Sequence, residues 1–262
     1  AGQLETYSSC PFRFFCQEVL KIRPYPRLEA ELTPKDLGTV LHNVLAQFFQ
    51  NHKGKNLLVE KREEYRQELM ILLEGNWQGM GEDIFALIQK EDARAKLYHF
   101  LDQELKRQQA GGASLLPRFL EASFGMGQDH CPGPVEVELP SGKVRLRGRI
   151  DRLDVSPAGE FLVLDYKLSY IPDYKELRAG LSLQLPIYLW AGEKLLGAQA
   201  KPLAALFYSL GQGKYRGFWR DEESKKVGLR RSKNSSLEPE NWDQTLENYR
   251  LILSLILKRI GS

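Results

Sequence analysis

The chain has 262 residues, of which 42% are hydrophobic and 27% charged, a composition typical of a soluble globular protein. No run approaches the about 18 consecutive apolar residues of a membrane span, and the first residues do not form a signal peptide. A net charge of +3 allows a nucleic-acid partner without requiring one, and three cysteines argue against a secreted disulfide framework. We therefore expect a cytoplasmic protein without membrane association and, because an initiator Met is missing, a fragment of a longer chain.

The first part of the chain is predicted to be mainly helical. Residues 1–32 are aromatic-rich and expected to be irregular. The segment Thr33-Pro-Lys-Asp36 then combines an N-cap residue, a first-turn proline and an acidic third position, which predicts a helix start. Apolar residues follow at helical spacing, and residues 60–109 are also expected to be helical because they contain no proline. This helical part extends to about residue 115.

Residues 116–262 are predicted to form an α/β core. Short β-like runs separated by proline and glycine cover residues 119–124, 135–139, 144–155, 161–168, 203–210 and 214–219. Helices are expected at residues 182–196 and 241–260, with a charged loop at 220–236. The prediction is a mixed central sheet flanked by helices, in one domain with the helical first part.

The segment Phe161-Leu-Val-Leu-Asp165-Tyr-Lys167 is a continuous apolar run that ends in charged side chains. Such a run predicts a strand buried on both faces. Asp165 and Lys167 are two positions apart and leave the same face of that strand. Both a structural ion pair and a functional site fit this pattern.

The preceding strand carries a second carboxylate. Arg147-Gly-Arg-Ile-Asp151-Arg-Leu-Asp154 is joined to the next strand through a tight turn at 157–159, and a hairpin of this length brings Asp151 near Asp165. Two neighbouring carboxylates repel unless a cation lies between them, and Mg²⁺ or Mn²⁺ prefers such oxygen ligands. Lys167 would then orient or deprotonate a water, or stabilise developing phosphate charge.

Two helices add polar residues that are unremarkable when taken alone. His42 lies at the edge of the apolar stripe of the first long helix, where a packed or solvated histidine is the commoner case. Gln184 and Tyr188 share one face near the start of a later helix, as in an ordinary half-buried helix.

Together these segments resemble the RecB-like nuclease family of the PD-(D/E)XK superfamily. The ordered set is Gly38-Thr-Val-Leu-His42, Gly148-Arg-Ile-Asp151-Arg-Leu-Asp154, Leu164-Asp165-Tyr-Lys167 and Gln184-Leu-Pro-Ile-Tyr188. The opening Tyr7-Ser-Ser-Cys10-Pro-Phe-Arg-Phe-Phe15 also resembles the start of the nuclease domain in AddB-type helicase–nuclease subunits. The resemblance implies a restriction-endonuclease-like fold.

The resemblance also implies a function. It predicts hydrolysis of DNA phosphodiester bonds, as an exonuclease that needs Mg²⁺ or Mn²⁺ and processes DNA ends for recombinational repair, with a helicase–nuclease partner subunit. The implied residues are His42, Asp151, Asp165 and the Tyr166 carbonyl as metal ligands, Lys167 as catalytic lysine, and Gln184 and Tyr188 as DNA-positioning residues. Glu121 occupies a strand position where relatives often carry a glutamate, and we do not assign it a direct catalytic role. The alternative function is a non-catalytic DNA-binding or scaffolding domain that keeps the fold.

Two further expectations concern cysteines and basic residues. Cys10 matches the first ligand of a [4Fe–4S] cluster in AddB-like domains, but three cysteines cannot supply four thiolates, so the cluster is expected only in a longer form of the protein. Basic residues expected either to meet DNA phosphates or to be solvated are Arg145, Arg147 and Arg149, on the same strand face as Asp151, and Lys225, Lys226, Arg230, Arg231 and Lys233 in the charged loop.

Overall fold

The computed structural model describes residues 2–23, 33–111, 114–126, 133–139, 142–230, 236–237 and 239–260. Its strands are β1 (Leu116–Phe124), β2 (Val135–Leu139), β3 (Gly142–Leu146), β4 (Gly148–Val155), β5 (Glu160–Lys167), β6 (Lys201–Ser209), β7 (Lys214–Arg220) and β8 (Ser236–Leu237). Its α-helices are α1 (Gly2–Ser9), α2 (Pro11–Phe14, continued by a π-helical turn Phe15–Val19), α3 (Pro34–Asn51), α4 (Arg62–Asn76), α5 (Ile84–Gln109), α6 (Tyr174–Arg178), α7 (Gln184–Leu196), α8 (Ser224–Val227) and α9 (Pro239–Ile260). Short 3₁₀ turns span Val59–Lys61 and Asp221–Glu223.

A mixed sheet with strand order β1-β4-β5-β6-β7-β8 forms the centre of the fold. Strand β4 pairs antiparallel with both β1 and β5, whereas β5 and β6 are parallel and are connected through α6 and α7. Strands β2 and β3 form a separate two-stranded sheet. This mixed sheet with flanking helices confirms the predicted fold class.

Strand β5 contributes side chains to two hydrophobic cores, one on each face of the sheet. Leu162 and Leu164 pack in the core that contains the buried faces of α3, α4 and α5. Phe161 and Val163 pack in the opposite core, with the buried faces of α7 and α9. The predicted burial on both faces is therefore confirmed, and it fixes the end of β5 between the two helical layers.

Helix α3 begins where the sequence predicts. The Thr33 side chain accepts from the backbone N–H of Asp36, and the Asp36 carboxylate accepts in return from the backbone N–H of Thr33. This reciprocal cap satisfies two N–H groups that the first helical turn leaves without partners. The apolar stripe of α3 is buried in the first core. His42 is half-buried beside this stripe, and the packing of the stripe holds it next to the sheet.

Four sequence predictions about secondary structure are wrong, three of them in helices and loops. Helices α1 and α2 lie in the segment expected to be irregular. The expected helical block at 60–109 is interrupted after α4, which ends at Asn76, and Gly79 and Gly81 in the connection adopt φ values of +80° and +94° that a right-handed helix does not contain. The expected loop at 220–236 contains the 3₁₀ turn, α8 and β8 within its described residues.

The expected strand at 144–155 is also interrupted, at Arg147. Strand β3 ends at Leu146 and pairs with β2, whereas β4 begins at Gly148 and joins the central sheet. A Cβ atom at Gly148 would lie 2.7 Å from the Phe124 ring, so only glycine allows this close approach. Arg145, Arg147 and Arg149 therefore do not alternate along one strand as predicted.

A fully buried ion network joins α5 to β4 on the side of the sheet that faces the first core. The Arg152 guanidinium donates to Asp154 through two bonds of 2.6 Å and to Glu104 at 2.7 Å. Arg107 donates to Glu104 at 2.8 and 2.9 Å and to Asp154 at 3.1 Å. Two carboxylates thus face two guanidinium groups. Although burial raises the pKa of Glu104, the charges of Arg107 and Arg152 outweigh it and hold that pKa well below its usual range.

No helix within the described ranges is both long enough and apolar enough to cross a bilayer.

Candidate active site and metal centre

Asp151 and Asp165 come together across the β4–β5 hairpin, as predicted. The antiparallel register pairs Arg152 with Leu164, and the next step along both strands reaches the two acids. The Asp151 carboxylate accepts from the backbone N–H of Tyr166 at 2.8 Å. Both carboxylates are buried, with 7% and 2% of Asp151 and Asp165 exposed. The hairpin therefore places the charge of Asp151 where it disfavours the charged form of Asp165.

His42 reaches this pair from helix α3. Its Nε2 donates to the Tyr166 carbonyl oxygen at 2.9 Å, and its Nδ1 lies 3.4 Å from Oδ2 of Asp151. The imidazole thus contacts both strands of the hairpin. Burial lowers the pKa of His42, but the hydrogen bond and charge of Asp151, with the charges of Asp165 and Glu121, give a net upward shift.

Glu121 joins the same cluster from β1. One ligand atom each from His42, Glu121 and Asp151 lie within 4.8 Å of one another. Glu121 is opposite Asp151 across the antiparallel β1–β4 ladder, between the pair Leu120–Arg152 and its neighbour. Its φ of +49° is in the left-handed region, which is unfavourable for a residue with a side chain and is found preferentially at functional sites.

The resemblance singled out Glu121, but its place beside Asp151 follows from the tertiary structure. Its sequence neighbourhood is an ordinary strand, and nothing in the local pattern indicates which acid across the sheet it faces. Once β1 is paired with β4, the register identifies it. Arg149 Nε then contacts the Glu121 carboxylate at 2.8 Å from the exposed rim of the site.

A second polar group at the site centres on Gln184, the first residue of α7. Its Nε2 donates to Asp165 at 2.5 Å and to the Tyr188 hydroxyl at 2.8 Å, while its Oε1 accepts from Lys167 at 2.8 Å. Lys167 Nζ also lies 2.8 Å from the other Asp165 oxygen. The strand residues Asp165 and Lys167 and the helix residues Gln184 and Tyr188 therefore form one hydrogen-bonded group.

The site is short of positive charge. Burial and the charge of Asp151 raise the pKa of Asp165 to about 7, even though Lys167 acts in the opposite direction. Burial and Asp151 likewise raise the pKa of Glu121, and the neighbouring carboxylates raise the pKa of His42. Each shift favours the form of the group with one more proton. A divalent cation would relieve the same electrostatic excess.

The donor set fits a hard divalent cation. Carboxylate oxygens and an imidazole nitrogen are accepted ligands for Mn²⁺, and Mg²⁺ takes carboxylates with water. His42, Glu121 and Asp151 are the residues that the structure has already assembled. Asp165 lies outside that trio, and its carboxylate contacts Lys167 and Gln184. The Tyr166 carbonyl oxygen accepts from His42 and therefore lies next to one member of the trio.

An iron–sulfur cluster does not fit the described cysteines. Cys10 and Cys16 are half-buried free thiols, and Cys131 lies outside the described residues. The Cys10 sulfur accepts from the backbone N–H of Arg13 at 3.4 Å and so caps α2. A four-thiolate cluster would need more cysteines than the three in this sequence.

The basic residues predicted to meet DNA are divided between exposed and engaged positions. Arg145 pairs with Glu136 on the small sheet, and Lys226 is bound to Glu160 and Glu223 at 2.7 and 3.0 Å. Lys225 and Arg230 are exposed, whereas Arg231 and Lys233 lie outside the described residues.

Comparison with known proteins gives a consistent match. Residues 1–258 match the family model described as PD-(D/E)XK nuclease superfamily. Three relatives are each named as a subunit of an ATP-dependent helicase/deoxyribonuclease. The protein from Thermoanaerobacter pseudethanolicus is 32% identical over 209 residues, which cover 72% of this chain and 17% of the relative. The protein from Natranaerobius thermophilus is 30% identical over 232 residues, which cover 79% of this chain and 18% of the relative. The protein from Clostridium perfringens is 28% identical over 291 residues, which cover 99% of this chain and 24% of the relative.

The chain thus spans about a fifth of the length of these relatives. The family match covers the mixed sheet, the β4–β5 hairpin and both helices that reach the site. This chain belongs to the PD-(D/E)XK nuclease superfamily.

Proposed function

We propose that the chain is a divalent-metal-dependent deoxyribonuclease that hydrolyses DNA phosphodiester bonds. The observation that carries this proposal is the convergence of His42, Glu121 and Asp151 beside the Asp165–Lys167 pair. Two buried carboxylates, with a half-buried carboxylate and a half-buried imidazole beside them, are costly unless a cation binds there in addition to Lys167. Membership of a nuclease superfamily supports hydrolysis of nucleic acid as the reaction.

The proposed roles follow from the contacts. His42, Glu121 and Asp151 would hold Mg²⁺ or Mn²⁺, with Asp165 and the Tyr166 carbonyl as further ligands. The bound cation would supply Lewis-acid polarisation of the scissile phosphate and activation of water. The Lys167 ammonium, held at 2.8 Å by both Asp165 and Gln184, would donate to the phosphate oxygen on which negative charge develops.

Gln184 and Tyr188 would position these groups and the DNA. The Gln184 carboxamide uses its oxygen on Lys167 and its nitrogen on Asp165 and on the Tyr188 hydroxyl. A carboxamide with all three bonds formed has one favoured orientation, because exchanging its oxygen and nitrogen would set donor against donor at Lys167 and acceptor against acceptor at Asp165. The arrangement therefore fixes the distance between the acid and the ammonium before DNA binds.

The activity is tested by single-turnover cleavage of end-labelled linear duplex and single-stranded DNA in Mn²⁺ or Mg²⁺. We expect Asp151→Asn and Lys167→Met each to lower the cleavage rate by about 100-fold or more. Asp92→Asn, which changes an exposed acid on α5, is the matched control and should cleave like wild type. Wild type no faster than Asp151→Asn would refute the proposed site, and Mn²⁺ binding without cleavage would favour a DNA-binding or scaffolding domain.

We further propose that cleavage proceeds from DNA ends, as an exonuclease in recombinational repair in the cytoplasm, together with a helicase partner. The relatives are named as a subunit of a helicase/deoxyribonuclease, which supports this setting. Covalently closed circular DNA should then resist digestion under conditions that degrade the same DNA after linearisation. Equal degradation of both forms would refute the exonuclease mode, but it would not contradict the proposed metal site.

A further inference from the structure

Helix α7 carries Gln184 in its first turn but has no capping side chain of its own. Its N-cap residue is Leu183, a buried apolar side chain that makes no capping hydrogen bond. The first N–H groups of a helix have no partners within the helix and need an acceptor from elsewhere. Here the acceptor comes from the N-terminal helix α1, which is distant in sequence.

That acceptor is Glu5 on helix α1. Its Oε1 accepts from the backbone N–H of Leu183 at 2.9 Å, from the backbone N–H of Gln184 at 3.2 Å, and from the Ser182 hydroxyl at 3.0 Å. A carboxylate at a helix N-terminus is also favoured by the helix dipole. The neighbouring Leu4 is buried in the second core, which anchors α1 against the body of the protein.

The cap is connected directly to the site. The backbone N–H of Gln184 donates to the Glu5 carboxylate, and the Gln184 side chain binds Asp165 and Lys167. A shift of the first turn of α7 would therefore move the carboxamide away from both charged groups. We propose that Glu5 is a positioning residue that sets the place of the Gln184 carboxamide for cleavage, a role that rests on the proposed function.

Two alternative roles for Glu5 are distinguishable from this one. A purely structural cap would change stability without a selective effect on turnover. A DNA contact would change DNA affinity in preference to turnover. In the positioning role, Glu5 acts through Gln184, because it accepts from two backbone amides and a hydroxyl at the start of α7. Loss of Glu5 should therefore lower turnover only while Gln184 is present, and DNA affinity should stay unchanged.

The experiment compares Glu5→Ala, Glu5→Gln, Gln184→Ala and the double variant Glu5→Ala/Gln184→Ala in the full chain. Glu18→Ala is the matched control, since Glu18 is a carboxylate on the same N-terminal segment that bonds Gln3, outside the site. Single-turnover cleavage at saturating Mn²⁺, the Kd for DNA and hydrogen exchange of the Leu183 and Gln184 amides are measured. Glu5→Gln keeps an accepting oxygen and serves where Glu5→Ala does not fold.

We expect Glu5→Ala to lower the cleavage rate by about 10- to 100-fold with little change in Kd, since small displacements at an active site have effects of this size. Glu5→Gln should lie between it and wild type, and Glu18→Ala should match wild type. The Leu183 and Gln184 amides should exchange faster in Glu5→Ala. In the double variant, the loss should be no greater than in Gln184→Ala alone, because both changes disable one unit.

Full cleavage by Glu5→Ala, unchanged amide exchange, or additive losses in the double variant would each overturn the role of Glu5 while leaving the nuclease proposal intact. A wild-type chain that does not cleave would instead refute the proposed function and, with it, any role of Glu5 in cleavage.

Discussion

Replacing Arg152 with Met should destabilise the protein strongly, because it unbalances the buried ion network between α5 and β4. Arg152 is fully buried, with its guanidinium carbon 3.9 Å from the centre of the Phe49 ring. Met keeps much of the apolar stem but removes the charge and three hydrogen bonds. Among the side-chain bonds of the described residues, Asp154 would then retain the 3.1 Å bond from Arg107, and two buried carboxylates would share one guanidinium.

The size of the effect follows from that imbalance. Removing one partner from a buried ion network typically costs about 3–5 kcal/mol, since an uncompensated charge stays buried. For a chain of about this length, each kcal/mol lowers Tm by about 2–4 °C, so we expect a decrease of about 6–20 °C. Adding Asp154→Asn to Arg152→Met should recover part of this loss, because Glu104 and Arg107 remain as a neutral pair.

Thermal unfolding followed by circular dichroism, with urea titration in parallel, measures these differences. Arg145→Met is the control, since the Arg145 side chain is 73% exposed and its pairing with Glu136 should contribute little. The reasoning would be refuted if Arg152→Met lost less than about 1 kcal/mol, or if the double variant were less stable than Arg152→Met alone.

Three further predictions concern metal, pH and backbone. Mn²⁺ at about 100 times its Kd should add about 2.7 kcal/mol to the free energy of unfolding of wild type but not of Asp151→Asn, measured as a Tm shift relative to EDTA. Folding raises the pKa of Asp165 from 3.8 to about 7, so its contribution to the stability of the metal-free protein is present below pH 4 and is lost as the pH rises to 7. Urea titrations across this pH range should show no such loss in Asp165→Asn. Gly228→Ala should destabilise by more than about 1 kcal/mol, since φ is +76° and the new Cβ would lie 2.1 Å from the Arg107 carbonyl oxygen. Gly75→Ala, on open helical surface, should be neutral or stabilising in the same urea titration.

Local patterns were sufficient to predict much of the fold. The start of α3 is encoded by four consecutive residues that form their cap among themselves, and β5 is encoded by an uninterrupted apolar run. The β4–β5 hairpin needs only two strands and the tight turn at 157–159, where Gly159 adopts a φ of +79°. These features depend on residues close in sequence, and they were sufficient to bring Asp151 and Asp165 together.

The remaining features depend on contacts between residues distant in sequence. Glu5 and Gln184 are 179 positions apart, and neither α1 nor the cap of α7 has a local signal strong enough to predict the contact. The close approach of the Phe124 ring to Gly148 across the sheet likewise joins residues distant in sequence. Glu121 required the β1–β4 register and a left-handed backbone.

The two charged clusters on β4 show why one is structural and the other is a candidate cation site. Arg152 and Asp154 belong to a network in which two carboxylates meet two guanidinium groups, all fully buried and mutually bonded. Asp151, on the opposite face of the same strand, belongs to a cluster in which three carboxylates meet Lys167 and the exposed Arg149. In the first cluster the charges of Arg107 and Arg152 lower the pKa of Glu104, although burial still raises the pKa of Asp154. In the second cluster, burial and the charge of Asp151 raise the pKa of Asp165. Strand alternation thus separates an ion network that the protein has neutralised itself from one that a bound cation would complete.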